Sequence, residues 1–221
     1  MPSAAACPPQ SNYDDPEIRA DAAVHVVGIS AVLAGVTYLT TNLDLRSPAM
    51  IAGLTIYMVS LVASFSVSAA YNLWPRTPTK WVLRRLDHST IYLFIAGTYT
   101  PFIIQAGGDA WILFAVVWVS AAVGIFVKLS RPGRYEGLSV ASYLVLGWSG
   151  AALYGRFAAA FPQFVLVMIG IGGLAFTVGV IFYAWRGLKY QNAIWHCFVL
   201  AGAVCHYDAV LSAFAFAQHG A

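Results

Sequence analysis

Polar side chains that could do chemistry interrupt the long apolar stretches of this sequence. The set comprises His25, Ser68, Asn72, Asp87, His88, Asn192 and His196. Residues four apart on a helix share a face, so Ser68 lies beside Asn72, and Asn192 lies beside His196. Imidazole and carboxylate groups are common metal ligands and common general acids and bases. The pattern therefore indicates a water-filled cavity or an ion site built by several helices.

The composition indicates which elements must carry these side chains. The chain has 221 residues, of which 60% are hydrophobic and only 10% are charged. A soluble domain carries about 25% charged residues, so this chain has too little charge to cover a water-facing surface. The net charge of +3 is too small and too scattered for a nucleic-acid-binding face, which excludes nucleic acid as a partner. The chain is predicted to be an integral membrane protein.

Seven stretches free of Asp, Glu, Lys and Arg approach or exceed the length of about 20 residues that a spanning helix needs. They are residues 22–43, 47–75, 88–108, 110–127, 137–155, 157–185 and 190–207. An all-α bundle of seven transmembrane helices is predicted, forming a single domain over residues 15–221 after a disordered tail over residues 1–14. Asp15, Pro16 and Glu17 have the pattern of a helix start.

The basic residues predict the orientation of the bundle. Ten of the twelve Lys and Arg residues lie in the N-terminal segment and in the second, fourth and sixth loops, and only Arg46 and Arg156 lie on the other side. Loops rich in Lys and Arg stay in the cytoplasm. The N-terminus is therefore predicted to be cytoplasmic and the C-terminus to be outside.

With this topology the polar residues form one layer at the cytoplasmic end of the bundle. Simpler interpretations remain for several of them. Asp87 follows Arg84 and Arg85, so it could be a helix N-cap or form an interfacial salt bridge. His88 could be an interface residue, and His25 could be a packing histidine. His206 lies deeper on the last helix, where it could line the same cavity or serve packing alone.

Four segments carry a family resemblance. They are LRRLDHSTIYLFIAGTYTPF at 83–102, DAAVHVVG at 21–28, SAAY at 68–71 and AIWHCFVLAG at 193–202, the last followed by His206. In this order they resemble the hemolysin III family, which belongs with the progestin and adipoQ receptors and, more distantly, the alkaline ceramidases. The resemblance implies seven helices and a cytoplasmic N-terminus. The seven spans themselves are typical of a resident protein of the bacterial inner (plasma) membrane, which is the predicted location.

The resemblance also implies a zinc site near the cytoplasmic face. In the adiponectin receptors, one histidine at the end of the second helix and two in an H-x-x-x-H pattern on the seventh hold the zinc. An aspartate and a serine complete that site, and they correspond to Asp87 and Ser68, while His196 matches the last histidine. Asn72 and Asn192 stand at the other two histidine positions.

These two asparagines change the expected chemistry, because a neutral amide is a poor zinc ligand. His196 and Asp87 would ligate any metal that binds, but they fall short of three or four ligands unless His25 or His88 joins them. The sequence predicts less than one zinc per chain and hydrogen bonds from Asn72 and Asn192 within the cluster.

Three functions are compatible with these features, beside ion or proton transport through the polar layer. The first is a sensor or regulator of membrane lipid state that holds a lipid ligand in a polar-ended cavity of the bundle. The alternative is a metal-dependent hydrolase of lipid amides or esters, in which Asp87 and Ser68 are catalytic. The third is a cytolytic pore, for which the sequence offers no toxin-like amphipathic segment.

Overall fold

The computed structural model describes residues 15–43, 47–75, 77–131 and 135–219. These residues form eight α-helices and no strand. The helices are α1 (Asp15–Asn42), α2 (Pro48–Leu73), α3 (Thr79–Ala106), α4 (Ala110–Ser130), α5 (Glu136–Trp148), α6 (Tyr154–Ala160), α7 (Gln163–Ala184) and α8 (Gln191–His219). A 3₁₀ segment, Ser149–Leu153, connects α5 to α6. The tail predicted over residues 1–14 lies outside the described residues.

Several helix boundaries fall where turn-forming residues predict them. The first helix starts at Asp15, and α2 starts with Pro48 directly after Ser47. Gly107 and Gly108, both with positive φ (60° and 57°), follow the end of α3. Pro162 immediately precedes α7. Proline favours the start of a helix and glycine tolerates the left-handed backbone that ends one, so these boundaries follow from local chemistry.

Six described helical segments are long and apolar enough to cross a membrane. They are Asp15–Asn42, Pro48–Leu73, Ala110–Ser130, Glu136–Ala160 (which contains α5 and α6), Gln163–Ala184 and Gln191–Gln218. Large apolar side chains face outward on these segments, for example Ile112 and Phe126, each 70% exposed. An apolar outer surface is what a lipid bilayer requires.

The remaining long helix, α3, has 28 residues but is more polar than the other six. It packs against α2 and α4 and also contacts α5, α6 and α8. Thr98, Thr100 and Ser89 on α3 are buried in the protein. A helix that other helices shield from lipid does not need the hydropathy of a lipid-facing one. The six helices establish a helical membrane protein, and the seventh span stays a prediction.

Small residues let neighbouring helices approach closely, as membrane helix packing generally requires. A Cβ atom on Gly97 of α3 would lie 2.1 Å from the Ser60 hydroxyl of α2. A Cβ atom on Gly172 of α7 would lie 2.4 Å from the His206 ring of α8. α7 is continuous from Gln163 to Ala184 across this close contact.

A contact between the ends of α1 and α8 positions the polar layer. The Glu17 carboxylate accepts a hydrogen bond of 2.7 Å from the Tyr190 backbone N–H, immediately before α8. The acid thus satisfies one of the free N–H groups at a helix start. One turn further along each helix, this contact brings Asp21 of α1 beside Asn192 and His196 of α8.

Candidate functional site

Asp21 is the centre of the buried polar cluster. The residue is only 6% exposed. One carboxylate oxygen accepts a 2.6 Å hydrogen bond from His196 Nδ1, and the other accepts a 2.9 Å hydrogen bond from Asn192 Nδ2. A buried carboxylate is tolerated when its oxygens are hydrogen-bonded in this way. The contacts join α1 to α8 within the membrane protein.

The two asparagines extend the cluster to α2. Asn192 Nδ2 also lies 3.0 Å from Asn72 Oδ1, to which it donates. Asn72 Nδ2 donates to the Ser68 carbonyl oxygen at 2.9 Å and lies 3.4 Å from the Ser68 hydroxyl. The prediction that Asn72 and Asn192 hydrogen-bond within the cluster is confirmed.

His25 is a further member of the cluster. Its Nδ1 lies 2.8 Å from the Asp21 carbonyl oxygen. A carbonyl oxygen only accepts, so Nδ1 carries the proton and the lone pair of neutral His25 is on Nε2. That nitrogen lies 3.4 Å from the Ser68 hydroxyl. The His25 ring meets the His196 ring edge-on, with centroids 4.4 Å apart, so the two imidazoles share one site.

Asp87 and His88 lie beside this cluster on α3. The Asp87 carboxylate faces the Ser68 hydroxyl and interacts electrostatically with His196 and His25. His88 Nδ1 donates to the Arg84 carbonyl oxygen at 2.7 Å. The Tyr143 hydroxyl donates to the His88 carbonyl oxygen at 2.8 Å.

The interpretation of Asp87 as a helix N-cap is wrong. The helix begins at Thr79, so Asp87 stands more than two turns inside it and cannot be an N-cap. Nor does Asp87 pair with Arg84, since that guanidinium pairs with Glu136 of α5. Arg84, three residues before Asp87, is compatible with a helix at this position because it lines the cavity.

His206 lies away from the other histidines. Its Nε2 donates to the Ile169 carbonyl oxygen of α7 at 3.2 Å, and its ring packs on Phe176. The ring also fills the notch at Gly172. His206 lines the same cavity as the cluster but belongs to the packing of α7 on α8.

A single cavity of about 890 Å³ unites these groups. At its polar end lie His25, Ser68, Asn72, Asp87, His88, Asn192 and His196. Aromatic and aliphatic side chains form most of the remaining wall, among them Phe94, Phe102, Leu144, Leu166 and Phe176.

A smaller cavity of about 210 Å³ lies on the other side of the cluster and is lined by Asp21, Asn72 and Asn192. Because Asn72 and Asn192 line both spaces, their hydrogen bond stands between the two cavities.

The set that contains Asn72 and Asn192 does not fit a metal ion, whereas the group of Asp21, His25 and His196 does. Asn72 and Asn192 hydrogen-bond as amides and do not replace two histidines. A different group offers the right donor types, because one ligand atom each from Asp21, His25 and His196 lies within 4.8 Å of the others. Two histidines and a carboxylate form a known zinc-binding set. Here Asp21 and His196 bind each other, so an ion would have to displace that hydrogen bond.

Asp21 is the site residue that the sequence analysis missed. The first apolar window was bounded by the absence of charge and therefore began one residue after it. Asp21 and His25 are four apart, which is the same one-face spacing that identified Ser68 with Asn72 and Asn192 with His196. That spacing could have found it.

Comparison with known proteins decides the family. The family model described as Haemolysin-III related matches residues 19–207, which include every residue of the cluster. The chain belongs to the hemolysin III family. With its apolar helices, it is therefore an integral protein of the plasma membrane.

Two bacterial relatives are similar to this hemolysin III family member over most of their length. The Hemolysin-3 homolog of Bacillus subtilis (strain 168) is 32% identical over 195 residues, covering 87% of this chain and 92% of the relative. Hemolysin-3 of Bacillus cereus is 30% identical, covering 87% and 89%. The human monocyte to macrophage differentiation factor is 29% identical over 163 residues, covering 70% and 67%. No solved structure matches the chain.

Proposed function

We propose that this hemolysin III family protein holds a membrane lipid inside its helix bundle and acts as a sensor or regulator of membrane lipid state. The cavity of about 890 Å³, polar at one end and apolar along its walls, carries the proposal. Binding cavities for small molecules range from about 300 to 1,000 Å³ and are mostly apolar with a few placed polar groups. An amphipathic molecule would place its polar headgroup at the polar end of the cavity and its acyl chain along the apolar walls.

The polar end supports recognition of a headgroup by hydrogen bonds. His25 Nε2 offers a lone pair, the Ser68 hydroxyl both donates and accepts, and the Asn72 amide does the same. These groups suit the hydroxyl, ester or amide portion of a lipid. A change in the bound lipid would shift their hydrogen bonds, which join α1, α2 and α8, and so could bias the packing of those helices.

Seven spans with a cytoplasmic N-terminus are part of this proposal. The 28-residue α3 has the length to cross a membrane, and ten of the twelve basic residues lie on the side assigned to the cytoplasm. The polar end of the cavity then opens toward the cytoplasm, where a change of bound lipid can be passed to soluble partners.

Two tryptophan substitutions on α5 test whether the cavity holds lipid. Leu144 lines the cavity, whereas its neighbour Val145 is 74% exposed on the outer surface. Lipids retained after extensive detergent washing are extracted and quantified by mass spectrometry. We expect about one lipid per wild-type chain, a clear loss in Leu144→Trp because the indole fills the cavity, and no loss in Val145→Trp. Absence of retained lipid in the wild type would refute the proposal.

The second candidate function is metal-dependent hydrolysis of lipid amides or esters. The grouping of Asp21, His25 and His196 favours it, since these residues would hold the ion. Bound zinc supplies Lewis-acid polarisation of a carbonyl. Asp87, which faces Ser68, is placed to hold a proton beside that position.

Assays with ceramide and with phospholipid separate this candidate from the first. The hydrolase would be established if the purified wild type turned over a substrate, if both Asp87→Ala and His196→Ala abolished that turnover, and if elemental analysis found one zinc per chain. The same results would refute a role as a sensor or regulator without catalysis. We expect no turnover, because Asp21 and His196 are bound to each other rather than arranged around a common ion.

A further inference from the structure

A group of cations lines the cavity beside the polar cluster. Arg84 of α3, Lys128 of α4 and Arg186, just after α7, all lie on its wall together with Glu136 of α5. Arg84 and Glu136 form an ion pair, and Arg186 Nη2 lies 3.9 Å from the other Glu136 oxygen. These four residues are called the cationic mouth. One carboxylate serves three cations, which leaves a net charge of +2.

Lys128 is the unusual member of the cationic mouth. Lys128 is only 4% exposed. It interacts electrostatically with Glu136 and with Arg84, yet within the described ranges it makes no hydrogen bond and no ion pair. Glu136 is engaged by the two arginines instead. The Lys128 ammonium is therefore enclosed by protein on the cavity wall, and no carboxylate of the described residues lies within ion-pair distance of it.

A buried ammonium on a cavity wall favours binding of an anionic ligand. Burying an ammonium without a partner is strongly unfavourable even after the surroundings relax. A lysine near the end of a membrane helix usually extends its side chain to the water interface, which Lys128 does not do. Arginine forks and lysine ammonium groups are the standard partners of phosphate oxygens in proteins.

We propose that the cationic mouth binds the phosphate of an anionic phospholipid whose acyl chain occupies the apolar part of the same cavity. This inference rests on the proposed lipid-binding function and names the lipid class. Lys128 and Arg84 contact the phosphate, and Arg186, with its side chain 83% exposed, closes the site from the solvent side. The hydrogen-bonding cluster around Ser68 receives the uncharged part of the headgroup.

Continuity of the cavity favours a lipid over free phosphate. The wall that contains Lys128 and Arg84 continues without interruption to Phe94, Phe176 and Leu166. A small inorganic anion would leave that apolar space without a partner, whereas a phospholipid fills both ends. The shared chemistry is a phosphate group, and the two sources differ in the attached chain.

Native mass spectrometry of delipidated full-length protein tests the proposal. The probes are dioleoyl phosphatidylglycerol, dioleoyl phosphatidylcholine and inorganic phosphate, each titrated separately. We expect wild-type protein to prefer phosphatidylglycerol by at least about tenfold, and Lys128→Met to reduce that preference by about tenfold, because one charge-assisted contact is worth that much. Lys189→Met is the matched control, since Lys189 is exposed and lies outside the cavity.

A second variant is expected to increase the affinity for phosphatidylglycerol instead of lowering it. Glu136→Gln removes the carboxylate that competes for the cations, so we expect tighter phosphatidylglycerol binding with unchanged phosphatidylcholine binding. A misfolded protein would lose both lipids, which this outcome excludes.

Four results would overturn the inference. Equal affinity of the wild type for both lipids would refute the phosphate site and leave lipid binding intact, whereas failure to bind either lipid would refute the proposed function as well. A preference unaffected by Lys128→Met would also refute the site. Competition by millimolar inorganic phosphate as strong as that by the lipid would assign the cations to a free anion.

Discussion

At the scale of single residues, Asp21 holds the polar layer together. Its two carboxylate oxygens take hydrogen bonds from His196 and Asn192, and its carbonyl oxygen takes one from His25. Removing such an acceptor leaves buried donors unsatisfied, and the cost of each is about 1–3 kcal/mol. The cluster is thus a structural element of the bundle as well as the candidate binding site.

Asp21→Ala is therefore expected to destabilise the protein strongly. His196 Nδ1 loses its acceptor and Asn192 Nδ2 keeps only Asn72 Oδ1, so the thermal midpoint in detergent should fall by several degrees. The matched control is Asp109→Ala, which breaks the exposed ion pair between Asp109 and Arg156, a loss of no more than about 1 kcal/mol. Equal stability losses in the two variants would contradict the role assigned to Asp21.

Metal content depends on the two asparagines. The wild type is expected to retain less than one zinc per chain by elemental analysis, because Asn72 and Asn192 are amides and Asp21 is already hydrogen-bonded. The double substitution Asn72→His and Asn192→His supplies two imidazoles beside His196 and should raise the zinc content toward one per chain. Stoichiometric zinc in the wild type would instead support the Asp21, His25 and His196 group.

At the scale of elements, the close contact of α7 with α8 depends on a glycine, Gly172, which has no Cβ atom. A Cβ at Gly172 would meet the His206 ring at 2.4 Å, whereas nothing lies within 4 Å of a Cβ at Gly170. Alanine normally stabilises a helix relative to glycine by about 0.5–1 kcal/mol. Substitution by alanine is therefore expected to change the stability of the protein in opposite directions at Gly172 and Gly170.

Gly172→Ala is expected to lower the thermal stability of the protein, since overpacking a closely fitted contact costs about 1–3 kcal/mol. Gly170→Ala should be neutral or slightly stabilising. Thermal unfolding in detergent, followed by the loss of monodisperse protein, measures both. If Gly172→Ala were as stable as Gly170→Ala, the close packing of α7 against His206 would be refuted.

The elements also show how far sequence reasoning extends. Charge-free windows located six apolar helices, because a membrane imposes length and composition directly on the sequence. They misplaced the start of α3 by nine residues, at His88 instead of Thr79. The same rule left Asp21 outside the first apolar window. Both errors arise where polar groups face a cavity or another helix instead of lipid, which composition alone does not reveal.

The pairing of distant residues was likewise only partly predictable. One-turn spacing placed Asn192 with His196, but their common partner Asp21 is 171 positions away from Asn192 along the chain. The Arg84 pair with Glu136 spans 52 positions and depends on how α3 and α5 pack. Local periodicity carries no information on such contacts.

At the scale of the whole molecule, the number of spans determines where the ends of the chain lie. Seven spans put the termini on opposite sides of the membrane, and six put them on the same side. A fluorescent protein on the N-terminus should be fluorescent inside the cell, and alkaline phosphatase on the C-terminus should be active outside. An inactive C-terminal phosphatase together with a fluorescent C-terminal fusion would show that α3 does not cross.

The cavity is a property of the whole bundle, because all eight described helices contribute to its wall. An X-ray structure of the protein purified with its bound lipids retained, with anomalous data at the zinc edge, tests most directly what the cavity contains. We predict elongated density from the cationic mouth past Phe94 and Phe176, and no anomalous peak beside His196. A cavity containing only water, or a zinc peak among Asp21, His25 and His196, would contradict the account.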